Sequence, residues 1–167
     1  ICTVAAEGVR VSLAHTEADY DTASAAFDAG ASHVTHLFNA MPPLLHRAPG
    51  VIGAASERET VTAELIADGI HVHPSAVRAA FRLFPGRVCL VSDALSACGM
   101  PEGEYMLGGQ SIRVSGSRAM LSDGTLAGSV ATLFDCMKNA VRFGVPAEEA
   151  VRAASHTPAR VIGADGE

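Results

Sequence analysis

Short apolar runs alternate along the chain with longer segments whose apolar residues recur at helical spacing, the pattern of an α/β protein. Ile1 to Ala6 and Val9 to Ala14 read as strands. Thr16 then opens a capping pattern, Glu17 to Ala29 forms an alanine-rich helix with polar residues on one face, and Gly30 supplies its left-handed cap. His33 to Leu37 predicts another strand, followed by a Pro/Gly-bearing loop through Gly50 and a short helix over Val51 to Ala55. Thr60 to Ile66 is a β-branched run, Pro74 to Phe84 a helix with proline in its first turn, and Arg87 to Val91 a buried strand. Glu104 to Leu121 has a different texture: Gly108-Gly109 and Ser115-Gly116 punctuate short alternating runs, which predicts a β-hairpin insertion. Helices over Ser129 to Phe143, capped by Ser129, and Pro146 to Ser155 follow, then a short Pro158 to Ile162 turn. No repeat, low-complexity stretch or linker interrupts the pattern, so residues 1–167 read as one domain.

Buried strands with intervening helices imply a parallel sheet, and ligand sites in such sheets lie at the carboxyl edge. Four strands deliver a polar, ionisable residue just past their apolar runs: His15, His36, His71 and Asp93. One such histidine carries little information, but four at equivalent positions converge in a barrel or open sheet. Neutral imidazole and carboxylate hold catalytic divalent metals, and an aspartate beside such a centre can take a proton from water and return it to a leaving amine. His33, His46, His73 and His156 read as structural or surface residues. Asp123-Gly124 is most simply a turn.

Composition narrows the partners. With 12 basic against 18 acidic residues, the net charge is −6, and no cluster of five basic residues exists to meet a phosphate backbone, so nucleic acid is excluded as the principal partner. Hydrophobic residues at 49% and charged residues at 18% describe a folded domain. Cys2, Cys89, Cys98 and Cys136 form no CxxC pair and read as buried or incidental thiols of a reducing compartment. No apolar run approaches the ~18 residues of a membrane span, no secretory leader is recognisable, and a cytoplasmic location is the expectation.

The segments Ala14-His15-Thr16, Thr35-His36-Leu37-Phe38-Asn39-Ala40-Met41, Asp68-Gly69-Ile70-His71, Val91-Ser92-Asp93-Ala94 and Leu126-Ala127-Gly128-Ser129 are discriminating as a set. In order and approximate spacing they resemble the N-acetylglucosamine-6-phosphate deacetylases of the amidohydrolase superfamily. The resemblance covers nearly the whole chain. It implies that His15 and His36 are metal ligands and Asp93 the catalytic acid/base. Asn39, Ala40 and the turn Asp68, Gly69, Ile70 and His71 would contact the amino sugar. Arg47 matches an arginine that meets the sugar phosphate, where such contacts can cross a dimer interface, and Leu126, Ala127 and Gly128 would line the pocket near the acetyl group. The implied cofactor is a divalent metal, zinc first, with iron, manganese or cobalt as alternatives. The implied partners are an amino-sugar phosphate and, in the complete protein, a second copy of the chain.

The implied fold is an incomplete TIM-type (β/α)8 barrel: about its last five strands, a β-hairpin insertion and C-terminal helices. The family's metal-binding glutamate lies in a Glu-Gly-Pro-like segment that has no match here, and Glu7-Gly8-Val9 is not assigned that role. The family's small β-sandwich is also unmatched. The expectation is therefore that the chain is part of a longer enzyme and inactive by itself. Two other readings remain open: an amidohydrolase acting on a cyclic amide or another N-acyl sugar, and a non-catalytic sugar-phosphate-binding fragment.

Overall fold

The structure, a computed structural model, describes residues 1–166. It opens with a correction: Cys2–Ala6 is a helix, α1, and not a strand. Its alanines favour helix, Gly8 at φ +80° stops it, and Ala5 packs so closely on Gly30 that a Cβ there would lie 2.7 Å away. Strand β1 is confined to Ser12–Leu13, and helix α2 spans Tyr20–Asp28. The helix starts later than Thr16 suggests, because the Thr16 hydroxyl closes a local turn onto Ala18 while Asp19 caps the helix by accepting the Thr22 N–H at 2.9 Å. Gly30 follows with φ +106°, as the expected left-handed terminator.

Strand β2 is His33–Val34, helix α3 Gly50–Ser56, strand β3 Thr62–Ile66, helix α4 Pro74–Leu83 and strand β4 Val88–Val91. The four strands form a parallel sheet in the order β1-β2-β3-β4, without the reversal of order that marks a doubly wound sheet. Since Ile1 to Ala6 is helical, the expected five parallel strands are four among the described residues. The two faces differ sharply. Val34, Ala63, Leu65, Val88 and Leu90 point into the helix-packed core and are almost fully buried, each worth about 1–3 kcal/mol of transfer free energy. On the other face the alternation presents Ser12, His33, Thr62, Glu64 and Cys89.

The expected hairpin is instead a four-stranded antiparallel sheet: β5 Gly103–Leu107, β6 Gln110–Ser115, β7 Arg118–Leu121 and β8 Leu126–Ser129. The extra strand arises because the Asp123-Gly124 turn sends Leu126–Ser129 back along β7, with an irregularity at Ala119/Met120. Its own small core is Ala97, Ile112, Val114 and Ala119. Ser129 then pairs in parallel with Ala94, which ties this sheet to the carboxyl end of β4.

Helices α5 Leu133–Arg142, α6 Ala147–Ala154 and α7 His156–Ile162 finish the described chain. Ser129 is therefore not a helix cap. Thr132 is, in a reciprocal box with Asp135, and Pro158 to Ile162 belongs to α7, not to a free turn. Among the described residues no helix is long and apolar enough to cross a membrane.

Candidate active site

The register sets the stage. Leu13 pairs with Val34, so His15 and His36 each stand two residues past a paired position; Ile66 pairs with Val91, which puts Asp68 and Asp93 level with each other. All four lie at one edge of one sheet. Among the described residues the non-glycine positions with positive φ are His15 (41°), His36 (30°), Phe38 (76°), Ala40 (50°) and Asp93 (49°). Left-handed backbone costs an L-residue about 1–2 kcal/mol. Such strain persists where packing over-determines it, and it concentrates at functional sites.

The packing that imposes it is visible in Thr35 to Met41. Leu37 and Met41 anchor the loop in the core, at 0% and 9% exposure, and the backbone between them turns through two positive-φ residues, Phe38 and Ala40. The Asn39 amide donates to the carbonyls of His36 and Leu37, each at 3.2 Å, and the Thr16 N–H donates to the Ala40 carbonyl at 3.0 Å. The last bond ties this loop to the one carrying His15. Asn39 thus spends its amide hydrogens on the turn, while Ala40 is exposed at its surface.

The outcome is a histidine pair. The Nε2 atoms of His15 and His36 face each other at 2.8 Å, with the rings edge to face at 4.7 Å between centroids. His36 is buried and His15 exposed, and the Nδ1 of His36 is buried without a partner among the described residues. Two nitrogens each ~2.0–2.1 Å from one tetrahedral ion stand about 3.4 Å apart, so a slight opening of this pair accommodates a divalent metal. The donor set fits such an ion but supplies only two ligands, for no group of three or more candidate ligands occurs among the described residues.

Next along the edge, Asp68 is almost completely enclosed, its side chain 2% exposed. Its Oδ1 accepts the Ile70 and His71 N–H groups at 2.9 Å, and its Oδ2 meets His71 Nδ1 at 2.6 Å and the Ser129 hydroxyl at 3.2 Å. Burial raises the Asp68 carboxyl, but the His71 ring and the two amides outweigh it and hold the pKa below its ordinary value. Gly69 turns at φ +82° against the Phe143 ring, and the Asn139 amide donates to the Asp68 carbonyl at 3.3 Å. The Asp68 side chain therefore holds the turn and orients the His71 ring through its Nδ1.

Asp93 is exposed, and its carbonyl accepts the Ser129 N–H at 3.1 Å. Gly128, at φ +133°, fits beneath this turn: a Cβ there would lie 2.8 Å from Leu95 Cδ2. Leu126 and Ala127 are half-buried beside it. Arg47 is exposed in a tight turn closed by the mutual Leu45 and Ala48 backbone bonds at 3.2 Å.

Three residues gain importance that their sequence context concealed. Glu64, in the middle of strand β3, accepts from His33 Nε2 at 3.0 Å and from the His36 N–H at 3.2 Å. Burial raises its carboxyl, yet these partners outweigh the effect and leave the pKa lowered. His33, expected at a strand start without a role, is buried, with Nδ1 2.6 Å from the Thr62 hydroxyl. Ser129 bonds Asp68. A carboxylate interrupting the run Thr62–Ile66 was the one available signal. Cys89, as expected, is a buried free thiol, pushed up to about 11 by burial and by the nearby Glu64 charge, which suits a packed group and not a nucleophile.

A parallel sheet in chain order, carrying a histidine pair, a His–Asp turn and an exposed aspartate along one carboxyl edge, defines an α/β protein with a ligand site of metal-binding character. The chain belongs to the amidohydrolase family, whose profile matches residues 2–167. It is 44% identical over 159 residues to the N-acetylglucosamine-6-phosphate deacetylase of Vibrio furnissii, covering 95% of this chain and 40% of that protein. To the N-acetylgalactosamine-6-phosphate deacetylase of Escherichia coli O157:H7 it is 41% identical over 161 residues, covering 96% and 43%. A solved structure of a Mycobacterium smegmatis N-acetyl-D-glucosamine-6-phosphate deacetylase variant, in complex with N-acetyl-D-glucosamine-6-phosphate, superposes with a TM-score of 0.91 at 41% identity, covering 97% of this chain and 44% of that one. The chain thus spans about two fifths of the length of the curated relatives it matches.

Proposed function

We propose that the protein carrying this chain hydrolyses the acetamide of N-acetylglucosamine 6-phosphate, giving acetate and glucosamine 6-phosphate. The observation that carries this reading is the facing His15–His36 pair, 2.8 Å apart at the same carboxyl edge as Asp93. The names of the relatives supply the substrate. His15 and His36 would hold the divalent metal, zinc first among the candidates, and a further ligand would come from outside the chain. When bound, such an ion lowers the pKa of water and polarises a carbonyl. Asp93 takes the proton of the attacking water and delivers it to the nitrogen as the carbon–nitrogen bond breaks, so no covalent enzyme intermediate forms.

The other roles follow the same reading. The His71 ring, aimed by Asp68, offers Nε2 to the bound sugar, with Gly69 and Ile70 shaping the turn. Asn39 and Ala40 meet the sugar from the neighbouring loop, and Leu126, Ala127 and Gly128 form the wall beside the acetyl group. Arg47, exposed on its turn, meets the phosphate with a planar guanidinium, and that exposure suits a contact made across a homodimer. The four parallel strands would form the last part of an eight-stranded barrel completed by the remainder of a longer polypeptide.

The galactosamine epimer is a second substrate reading, favoured by the 41% identity to the Escherichia coli enzyme. Acetate release from the two epimers, measured with the full-length protein, decides between them. In the same assay Asp93→Asn is expected to lower kcat by about 10²–10⁴-fold while leaving sugar-phosphate binding intact. Full turnover in that variant overturns the assignment of Asp93.

A further inference from the structure

We propose that Glu64, braced by His33, is a positioning residue that fixes the metal-binding orientation of His36. The inference rests on the reading of His15 and His36 as metal ligands and adds to it a device on the strand beneath.

The backbone at His36 departs from its neighbours. On either side of it the ladder is ordinary: the Thr35 N–H donates to the Leu13 carbonyl at 3.0 Å and the Leu37 N–H to the Glu64 carbonyl at 2.9 Å. Between them, His36 takes φ 30°, and its N–H leaves the ladder. A buried N–H without an acceptor costs about 1–3 kcal/mol. Here the acceptor is a side chain, the Glu64 carboxylate, at 3.2 Å. The strained backbone that aims the ring is thus held through an acceptor that this one glutamate provides.

Glu64 is itself held. It projects from the middle of β3 onto the polar face of the sheet, its side chain 24% exposed, where a mobile carboxylate would drift toward water. Its second oxygen is engaged by His33 Nε2 at 3.0 Å, and His33 is fixed in turn by the Thr62 hydroxyl at 2.6 Å from Nδ1. Because Thr62 and Glu64 are two apart on one strand while His33 and His36 bracket the exit of the next, the four residues form a closed staple across β2 and β3. None of Thr62, Glu64 or His33 hydrogen-bonds the Nε2 of His36; the hydrogen bond from Glu64 reaches His36 at its backbone N–H. A hydrogen-bonded support of this kind is typically worth 10–100-fold in metal affinity.

The test uses the full-length protein and zinc alone, with affinity read by competition against a chromophoric chelator and folding read by the thermal midpoint of the metal-free form. Glu64→Ala is expected to weaken zinc binding by about 10–100-fold. Glu64→Gln, whose amide oxygen still accepts the His36 N–H, is expected to restore most of that loss. Should the alanine variant not fold, the isosteric Thr62→Val, which cuts only the far end of the staple, is expected to weaken zinc severalfold. Wild-type affinity in a folded Glu64→Ala protein overturns the proposal, as does equal loss in the alanine and glutamine variants, which marks a general structural role. A wild-type protein that binds no zinc overturns both this inference and the reading of the site. Zinc binding that responds to Glu64 in a protein releasing no acetate leaves the staple standing and removes only the deacetylase.

Discussion

The two sheets of this protein solve the same geometric problem in opposite ways. Both need left-handed backbone where strands end. In the antiparallel sheet β5–β8 and its turns, those positions are Gly108, Gly109, Gly116, Gly124 and Gly128. At the carboxyl edge of the parallel sheet, Gly69 shares the task with His15, His36, Phe38, Ala40 and Asp93. Glycine adopts such angles at no steric cost; the other residues do not. One sheet has turns chosen for stability, and the other keeps strained side chains where ligands would bind. The difference teaches that the carboxyl edge is held by something stronger than turn preference, namely buried Leu37 and Met41 and two hydrogen-bonded carboxylates, half-buried Glu64 and enclosed Asp68.

Removing an enclosed carboxylate should therefore have the largest effect. Asp68→Ala strands four donors, the amides of Ile70 and His71, His71 Nδ1 and the Ser129 hydroxyl, and is expected to cost about 3–5 kcal/mol by chemical denaturation. A loss below about 1 kcal/mol would show that the edge is held by packing alone. The pH dependence has a definite sign. Because the folded-state pKa of Asp68 lies below the ordinary 3.8, its contribution is complete above that value and disappears as pH falls through the lower folded pKa. The stability difference between wild type and Asp68→Asn should accordingly be flat near neutrality and shrink only in acid.

An intermediate effect separates two glycines of the same sheet. Gly128→Ala combines φ +133° with a Cβ 2.8 Å from Leu95 Cδ2, and is expected to cost about 3 kcal/mol. Gly124→Ala has φ +85° but nothing within 4 Å, so only the backbone cost of about 1 kcal/mol remains. Equal losses in thermal or denaturant unfolding would mean that Gly128 is a turn residue like the others. A larger loss at Gly128 would mean that it is shaped to let Asp93 and Leu95 close over it.

The contrast also explains what the sequence made legible. Period and punctuation located α2, α4, β3 and β4 to within a few residues, because amphipathic helices and buried strands carry their own signal. His15, His36 and Asp93 were visible as polar residues ending apolar runs, and the structure brings them to one edge. The helix at Cys2–Ala6 was missed because five residues without a buried side chain have no period to read. Ser129 reads as a cap in sequence because serine before an apolar run looks the same whether it ends a strand or starts a helix; Thr132, three residues on, has the box partner that decides it. Glu64 and His33 were missed for a different reason: their meaning lies in pairing between strands, 31 residues apart in sequence, which no local pattern encodes.

The smallest expected effect tests the strain itself. Ala40 sits at φ 50°, its side chain is exposed, and its main link is the backbone bond from Thr16 at 3.0 Å, which glycine preserves. Ala40→Gly removes the left-handed penalty of about 1–2 kcal/mol but adds about 0.5–1 kcal/mol of unfolded-state entropy. The balance is a stabilisation of about 0.5 kcal/mol or slightly more, measurable as a raised denaturation midpoint with an unchanged m-value. Gly124, already relaxed, offers no such gain, so the pair of glycine and alanine swaps runs in opposite directions in the two sheets. If Ala40→Gly destabilises instead, the loop is not strained at that residue but is using its restricted backbone to hold His36 in place, and the cost of the carboxyl edge falls on His15, His36, Phe38 and Asp93 alone.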